Sequence, residues 1–118
     1  MLPKDLVGEL MHFRAERDWA QFHTPRNLAI SLSLEAGEVL ELFQWEDRQG
    51  AALDHIMPQL RDEVADVATY LTYLCADLGI DLEAAVREKM VQNRRKYPVA
   101  LAKGSAKKYT ELHTEGSE

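Results

Sequence analysis

Two pairs of carboxylates have a spacing that points to chemistry. Glu35 and Glu38 form an E-x-x-E pair, and Glu63 and Asp66 form an E-x-x-D pair after 24 intervening residues. Side chains three residues apart on a helix share one face, so each pair would present two carboxylates together. If the two helices pack side by side, four carboxylates converge. Oxygen-only ligands of this kind suit Mg²⁺, with Mn²⁺ as a second choice.

Glu35 occupies an unusual position on its helix. At about 100° per residue it projects between Leu28 and Leu42, within the apolar stripe rather than on the solvated face. Burying an uncompensated carboxylate costs on the order of several kcal/mol, a cost that a bound cation would reduce. A lone acidic pair on a helix is usually solvated surface, so the charge inside the stripe is what favours a metal site.

A second group of polar residues lies near the other end of the chain. Lys89 and Asn93 fall inside the apolar stripe of the last long helical segment, and Lys96 lies at its border. Because Mg²⁺ commonly bridges to substrate phosphates, these cationic and amide groups could hold the phosphates while the carboxylates hold the metal. The residue pattern therefore favours binding of a metal and a phosphate compound.

Two other classes of function compete with this interpretation. A di-iron bundle needs Glu-x-x-His on two of its helices, but Glu38 and Asp66 occupy the matching positions, so redox iron is the weaker interpretation. A non-enzymatic helical module that binds a divalent cation or a partner remains an alternative. Lysines directed into the same cavity argue against it, because a pure cation-binding module has no use for them.

The elements that would position these residues are all helical. The hydrophobic periodicity, together with capping and helix-breaking residues, predicts four helices. They are Pro3–Ala20, Pro25 to about Trp45, Pro58–Gly79 and a fourth that Asp81 caps and Pro98 terminates. No segment alternates with period two for long. The predicted fold class is all-α.

Length and charge limit the possible architecture and partners. The chain has 118 residues, for which we predict one domain over residues 1–100 and an extended, basic, partly disordered tail over residues 101–118. Residues 35–66 hold nine acids against two bases, whereas residues 87–108 hold eight bases against one acid. A net charge of −6 argues weakly against binding duplex nucleic acid.

The cysteine content and hydropathy indicate the compartment. Cys75 is the single cysteine, which excludes an internal disulfide and suits a reducing cytosol. The sequence has no charged-then-apolar leader and no long apolar run. We therefore expect a cytoplasmic protein without a membrane partner.

Several motifs together resemble one family. "EAGE" at 35–38 and "EVAD" at 63–66 resemble the signature of the all-α nucleoside triphosphate pyrophosphohydrolases, the MazG-like superfamily. "RDWAQFHTPRNLA", "ELFQW", "KMVQNRRKYP" and "KKYTEL" occur in the order typical of its dCTP pyrophosphatase branch, from Arg17 to Leu112. The resemblance implies a four-helix-bundle-like fold and Mg²⁺-dependent hydrolysis of a deoxynucleoside triphosphate, most closely dCTP or a modified dCTP, for housecleaning of the nucleotide pool.

The resemblance also implies roles for individual residues. The metal ligands would be Glu35, Glu38, Glu63 and Asp66, and our choice for orienting the attacking water is Glu38. The phosphates and sugar would contact Lys89, Asn93, Arg94, Lys96 and Tyr70. The base pocket would consist of Trp19, His23, Asn27 and Trp45.

The resemblance implies an assembly as well. Family members are dimers of dimers, so we expect a homotetramer. The "KYTEL" tail matches Lys108–Leu112, which leaves open whether it closes over a neighbouring subunit's site. The stretch "EDRQGAALDHIMPQL" looks shorter than in the animal relatives, so another base, such as that of dUTP or a modified purine, remains an alternative.

Overall fold

The computed structural model describes residues 2–105, and this part of the chain is entirely helical. It contains α1 (Lys4–Glu16), a 3₁₀ turn (Ala20–Phe22), α2 (Pro25–Glu41), α3 (Ala51–Leu78), α4 (Leu82–Lys96) and the short α5 (Val99–Ala102). The predicted all-α class is confirmed. Within the described range, none of these helices has the length and apolarity needed to cross a membrane. The "KYTEL" match at Lys108–Leu112 lies outside the described residues.

The chain divides into two compact units, one ending at Ile80 and the other beginning at Asp81. The first unit contains α1, α2 and α3, and the second contains α4 and α5. Our division into a domain over 1–100 and a tail from 101 stays a prediction. Two residues of that predicted tail, 101 and 102, lie in α5.

In the first unit, α2 and α3 pack together as an antiparallel pair. His23, just before α2, contacts Tyr70 and Tyr73, whereas Glu35, late in α2, lies beside the earlier part of α3. Helix α1 runs alongside α3, where the Tyr73 hydroxyl donates a hydrogen bond of 3.0 Å to the carbonyl oxygen of Leu10. Helices α1 and α2 thus both contact α3.

The core of this unit is small for its length. The buried apolar side chains include Leu28, Ile56, Tyr73 and Cys75, of which Leu28 is 0% exposed. Arg14 is also buried, although it is charged. The buried surface is therefore shared between apolar packing and polar groups.

Several predicted helix ends are confirmed by their capping geometry. The Thr24 side chain accepts a hydrogen bond from the Asn27 amide, and Pro25 fills the first helical position. Gly79 ends α3 in the left-handed region at φ 66°. The Asp81 side chain accepts from the Ala84 amide and begins α4. Local sequence rules were sufficient at these positions.

Other predicted ends were wrong. Helix α1 ends at Glu16 rather than Ala20, because Asp18 adopts a left-handed φ of 54° and the Trp19 amide bonds back to the Arg14 carbonyl. Helix α2 ends at Glu41 rather than near Trp45. The chain leaves the helix there because the Phe43 amide donates a 2.9 Å hydrogen bond to the Leu40 carbonyl oxygen and closes a turn.

The start of α3 was also predicted wrongly. The helix begins at Ala51, so Pro58 lies inside it and not at its first position. Gly50 caps it with φ 58° and ψ −128°, a backbone region that glycine tolerates. Ile56 is buried, so packing holds the turns that precede the proline.

The second unit is described by itself. Helix α4 has no buried residue, and its stripe residues Val86 and Met90 are each about half exposed. The predicted apolar stripe is therefore not a buried face. Three basic residues, Arg94, Arg95 and Lys96, lie in the last turn, where positive charge stabilises a helix.

Candidate metal centre

The four carboxylates predicted as metal ligands are brought together. Glu35 and Glu38 come from α2, and Glu63 and Asp66 come from α3. One oxygen from each side chain can be chosen so that the four atoms lie within 4.8 Å of one another. Each pair shares its helix face through i,i+3 spacing, and the packing of α2 on α3 brings the two faces together.

Two of these carboxylates have oxygens without partners. Oε2 of Glu35 and Oε2 of Glu63 are buried and accept no hydrogen bond. Glu35 lies seven residues after the fully buried Leu28, on the same face of α2. A buried carboxylate oxygen without a donor is costly, and a cation bound by these oxygens would offset that cost.

Electrostatic crowding shifts the titration of the same residues. The pKa of Glu63 is raised to about 7, first by hydrogen bonding to Glu38 and then by burial and the neighbouring carboxylates. Burial is the main cause that raises the pKa of Glu35, followed by hydrogen bonding to Glu38. In the absence of a cation the cluster therefore holds protons at pH values where an ordinary glutamate is ionised.

The donor set fits a hard divalent cation. All four ligands offer oxygen, and no histidine or cysteine belongs to the group. Mg²⁺ and Mn²⁺ prefer carboxylates, and the two unpartnered oxygens supply acceptor sites that the protein leaves unused.

An aromatic cluster lies next to the carboxylates along α3. The ring centroids of His23 and Tyr70 are 6.2 Å apart, those of His23 and Tyr73 are 5.5 Å apart, and those of Tyr70 and Tyr73 are 6.3 Å apart. Tyr70 and Tyr73 follow Asp66 by one and two turns, about 6 and 10 Å along the helix axis. Of the predicted base and sugar residues, His23 and Tyr70 are thus the two in mutual contact.

The other predicted base residues lie in different surroundings. The Asn27 amide side chain donates to the Phe22 carbonyl oxygen at 3.0 Å, a bond that holds the start of α2. Trp19 makes an edge contact with Phe13, with ring centroids 5.7 Å apart. Trp45 lies in the turn after α2 and is 87% exposed. The described contacts do not group these three with His23.

The predicted phosphate ligands all lie on α4, in the second unit. Lys89, Asn93 and Arg94 are exposed, and Lys89 donates a long bond of 3.4 Å to the Gln92 side chain. Lys96 is half-buried at the end of the helix. Their role at the phosphates stays a prediction.

Sequence reasoning missed a polar group behind the aromatic cluster. Arg14 on α1 makes two hydrogen bonds to Asp77 on α3, at 2.7 and 2.8 Å. Its guanidinium carbon also lies 4.8 Å from the centre of the Tyr73 ring. Arg14 falls in the same helical stripe as Leu10, and a charge inside a stripe is the signal that singled out Glu35.

Comparison with known proteins gives a consistent family. A model of the MazG-like family matches residues 30–112. The chain is 48% identical over 104 residues to dCTP pyrophosphatase 1 from Bos taurus and to its counterpart from Homo sapiens. These matches cover 85% of this chain, 62% of the bovine protein and 61% of the human one. The chain thus spans about three fifths of the length of these relatives.

A solved structure agrees in fold. The crystal structure of a pyrophosphatase from Archaeoglobus fulgidus DSM 4304 superposes with a TM-score of 0.75 and 41% sequence identity. The match covers 80% of this chain and 91% of the archaeal chain.

Proposed function

This chain belongs to the MazG-like family, and from that premise we propose that it hydrolyses a nucleoside triphosphate to the monophosphate and pyrophosphate. The observation that carries the proposal is the cluster of four carboxylates with two buried, unpartnered oxygens. The similarity to dCTP pyrophosphatase 1 makes dCTP, or a modified dCTP, our first choice of substrate. Removal of such nucleotides from the pool would be the cellular purpose.

We propose Mg²⁺ as the cofactor, held by Glu35, Glu38, Glu63 and Asp66, with Mn²⁺ able to replace it. A divalent cation held there would neutralise charge on the phosphates and would lower the pKa of a bound water. The protein itself would also favour its binding. Burial raises the pKa of Glu35, hydrogen bonding to Glu38 raises that of Glu63, and the neighbouring carboxylates add to both shifts, so a cation would offset the cost of ionising the cluster.

The reaction is a displacement at the α-phosphorus. The oxygen of a water molecule forms a bond to that phosphorus, and the bond from phosphorus to the α–β bridging oxygen breaks, so pyrophosphate leaves. One proton of the water passes to a carboxylate, for which we choose Glu38, and then to solvent. If Glu38→Gln keeps full turnover at saturating Mg²⁺, this assignment is wrong.

The remaining predicted residues would bind the nucleotide. Lys89, Asn93, Arg94 and Lys96 are proposed to meet the phosphates, and the basic end of α4 supports this choice by its charge. Tyr70 is proposed to pack on the sugar, with His23 on the base. Their mutual contact lies one to two turns along α3 from Asp66, an arrangement that suits a nucleoside extending from phosphates at the metal. Trp19, Asn27 and Trp45 complete the proposed pocket.

The identity of the substrate's base has an alternative to cytosine. Trp45, which we assign to the base pocket, is 87% exposed in the loop over residues 42–50, so the proposed base contacts of this residue do not rest on a formed pocket. The same chemistry on dUTP or a modified purine is therefore the second candidate. Pyrophosphate release from a panel of nucleoside triphosphates with Mg²⁺ separates the candidates, and silence across the panel would leave a non-enzymatic cation-binding module.

We also propose a homotetramer in a reducing, cytoplasmic setting. Large apolar side chains of the first unit stand open to solvent, among them Leu40, which is 64% exposed. Burial between subunits would remove this surface from water. Cys75 is a buried free thiol, consistent with a compartment that forms few disulfides. Light scattering should give about 54 kDa, four copies of the 13.4 kDa chain, and a monomer would contradict the assembly.

A further inference from the structure

The stripe of α3 that contains the metal ligands continues beyond them. Glu63, Asp66, Tyr70, Tyr73 and Asp77 follow one another at alternating spacings of three and four residues, within an arc of about 80°. The first two belong to the carboxylate cluster. The last two contact Arg14 from α1. The stripe therefore links the metal end of α3 to a partly buried ion pair at its other end, in which Arg14 is buried and the Asp77 side chain is 26% exposed.

The ion pair between Arg14 and Asp77 has a fixed geometry. Arg14 is 5% exposed and uses both terminal nitrogens on the two oxygens of Asp77. A two-point contact of this kind fixes the orientation of both planes. The Tyr73 ring contacts both the Arg14 guanidinium and the His23 ring, and its hydroxyl donates a hydrogen bond to the Leu10 carbonyl oxygen. Arg14, Asp77 and Tyr73 are thus each held by at least one hydrogen bond.

His23 needs such a support because its own polar contacts are incomplete. Its Nδ1 is buried and has no hydrogen-bond partner. Burial without an acceptor favours the neutral tautomer in which Nδ1 carries no proton, so the proton lies on Nε2. The charged and titratable groups around the ring are Arg14 from α1 and Tyr70, Tyr73 and Asp77 from α3. Burial and the Arg14 charge lower the pKa of His23, while Asp77 opposes them.

We propose that Arg14, Asp77 and Tyr73 form a positioning layer that fixes the His23 ring for discrimination between nucleobases. None of the described contacts of Arg14, Asp77 and Tyr73 involves a side chain of the carboxylate cluster. Its members are positioning residues, which act on the substrate through His23. The part of this proposal that concerns the base rests on the proposed function, whereas control of His23 by the layer does not.

The test uses a variant that removes the layer without leaving an unpaired charge. Arg14→Met combined with Asp77→Leu replaces the ion pair by apolar groups, so that neither charge is left without its partner. Tyr73→Phe is a milder variant that keeps the ring and loses the bond to Leu10. Glu16→Gln is the matched control, because it breaks an exposed pair with His12 on the same helix.

Two measurements are compared among these proteins. The first is the ratio of kcat/KM for dCTP to kcat/KM for dUTP, which does not depend on the fraction of protein that is folded. We expect the ratio to change by about tenfold in the double variant, the scale of one lost hydrogen bond, and to stay unchanged in Glu16→Gln. The second is the NMR titration of the His23 ring, assigned with His23→Gln. Its midpoint should rise in the double variant, since the opposing charge of Arg14 outweighs that of Asp77.

The possible outcomes distinguish failure of the positioning layer from failure of the proposed function. Equal losses on both nucleotides with an unmoved His23 titration would mean that the pair only stabilises the fold, and would overturn the proposal. If the double variant fails to fold, Tyr73→Phe decides by the same ratio, and an unchanged ratio overturns it. If the wild-type chain hydrolyses neither nucleotide, the proposed function fails. In that case, an unchanged His23 titration midpoint in the double variant would also overturn the claim that Arg14 and Asp77 act on His23.

Discussion

Glu35 on α2 and Glu63 on α3 each bury a side-chain oxygen that has no hydrogen-bond partner, within one cluster whose ligand atoms span 4.8 Å. Two helices thus pack at the cost of bringing like charges together. Such an arrangement is stable only if protons or a cation compensate it.

Replacing one of these carboxylates should lower activity but raise the stability of the metal-free protein. We expect Glu63→Gln to lower turnover by more than about a hundredfold, because loss of a ligand weakens metal binding more than loss of a supporting contact does. The same variant should raise the melting temperature of the metal-free protein, since it removes one repelling charge. Asp62→Asn, an exposed neighbour outside the cluster, is the matched control. A fully active Glu63→Gln would exclude this residue as a ligand.

Stability of the metal-free protein should decrease as pH rises. Glu63 keeps its proton up to a pKa of about 7 in the folded state, against 4.5 ordinarily. Between these values the folded state binds more protons than the unfolded state, so the free energy of unfolding falls with increasing pH. Thermal denaturation in EDTA at about pH 5.5 and about pH 7.5 measures the decline.

Mg²⁺ should reverse this decline, because the cation replaces the proton. The rise in melting temperature on adding Mg²⁺ should be larger at the higher pH and nearly absent in Glu63→Gln. An equal rise at both pH values would show that no proton is displaced from the cluster.

The ion pair between Arg14 and Asp77 should contribute to folding. Asp77→Ala leaves a buried guanidinium without a partner, and we expect a loss of about 3 kcal/mol in the free energy of unfolding. The double variant Arg14→Met with Asp77→Leu should recover most of that loss. Hydrogen bonding to Arg14 lowers the pKa of Asp77, so the contribution is present above its ordinary pKa and is lost in stronger acid. Urea denaturation of both variants measures the difference, and equal losses would contradict the explanation.

The proposed tetramer should be sensitive to its exposed apolar side chains. Leu40 is exposed on α2 and lies outside the carboxylate cluster. Leu40→Arg would place a charge in a subunit contact, so we expect the mass by light scattering to fall toward that of the 13.4 kDa chain. Glu41→Gln, at the next position, should keep the wild-type mass. A Leu40→Arg protein with unchanged mass would exclude this part of α2 from the interface.

The sequence predicted those parts of the site that depend on short spacings. Glu35 and Glu38 share a helix face by their separation alone, as do Glu63 and Asp66. The Thr24 cap likewise needs only neighbouring residues. Glu35 was identifiable because a charge inside an apolar stripe demands a compensating group.

Features that depend on tertiary packing were not predicted. Arg14 and Asp77 are separated by 63 positions, and no local pattern specifies which helices bring them together. The start of α3 was missed because Pro58 is a common first helical residue, whereas here the buried Ile56 and the backbone of Gly50 extend the helix in front of it. Packing overrode a local signal in this case.

The proposed reaction needs a divalent cation on the four carboxylates and attack of water at the α-phosphorus. Hydrolysis of dCTP in ¹⁸O-labelled water with Mg²⁺, followed by mass spectrometry of the products, tests both requirements together. We expect one ¹⁸O atom in dCMP and none in the pyrophosphate, with no reaction in EDTA. Label in the pyrophosphate, release of inorganic phosphate with dCDP, or equal turnover in EDTA would contradict it.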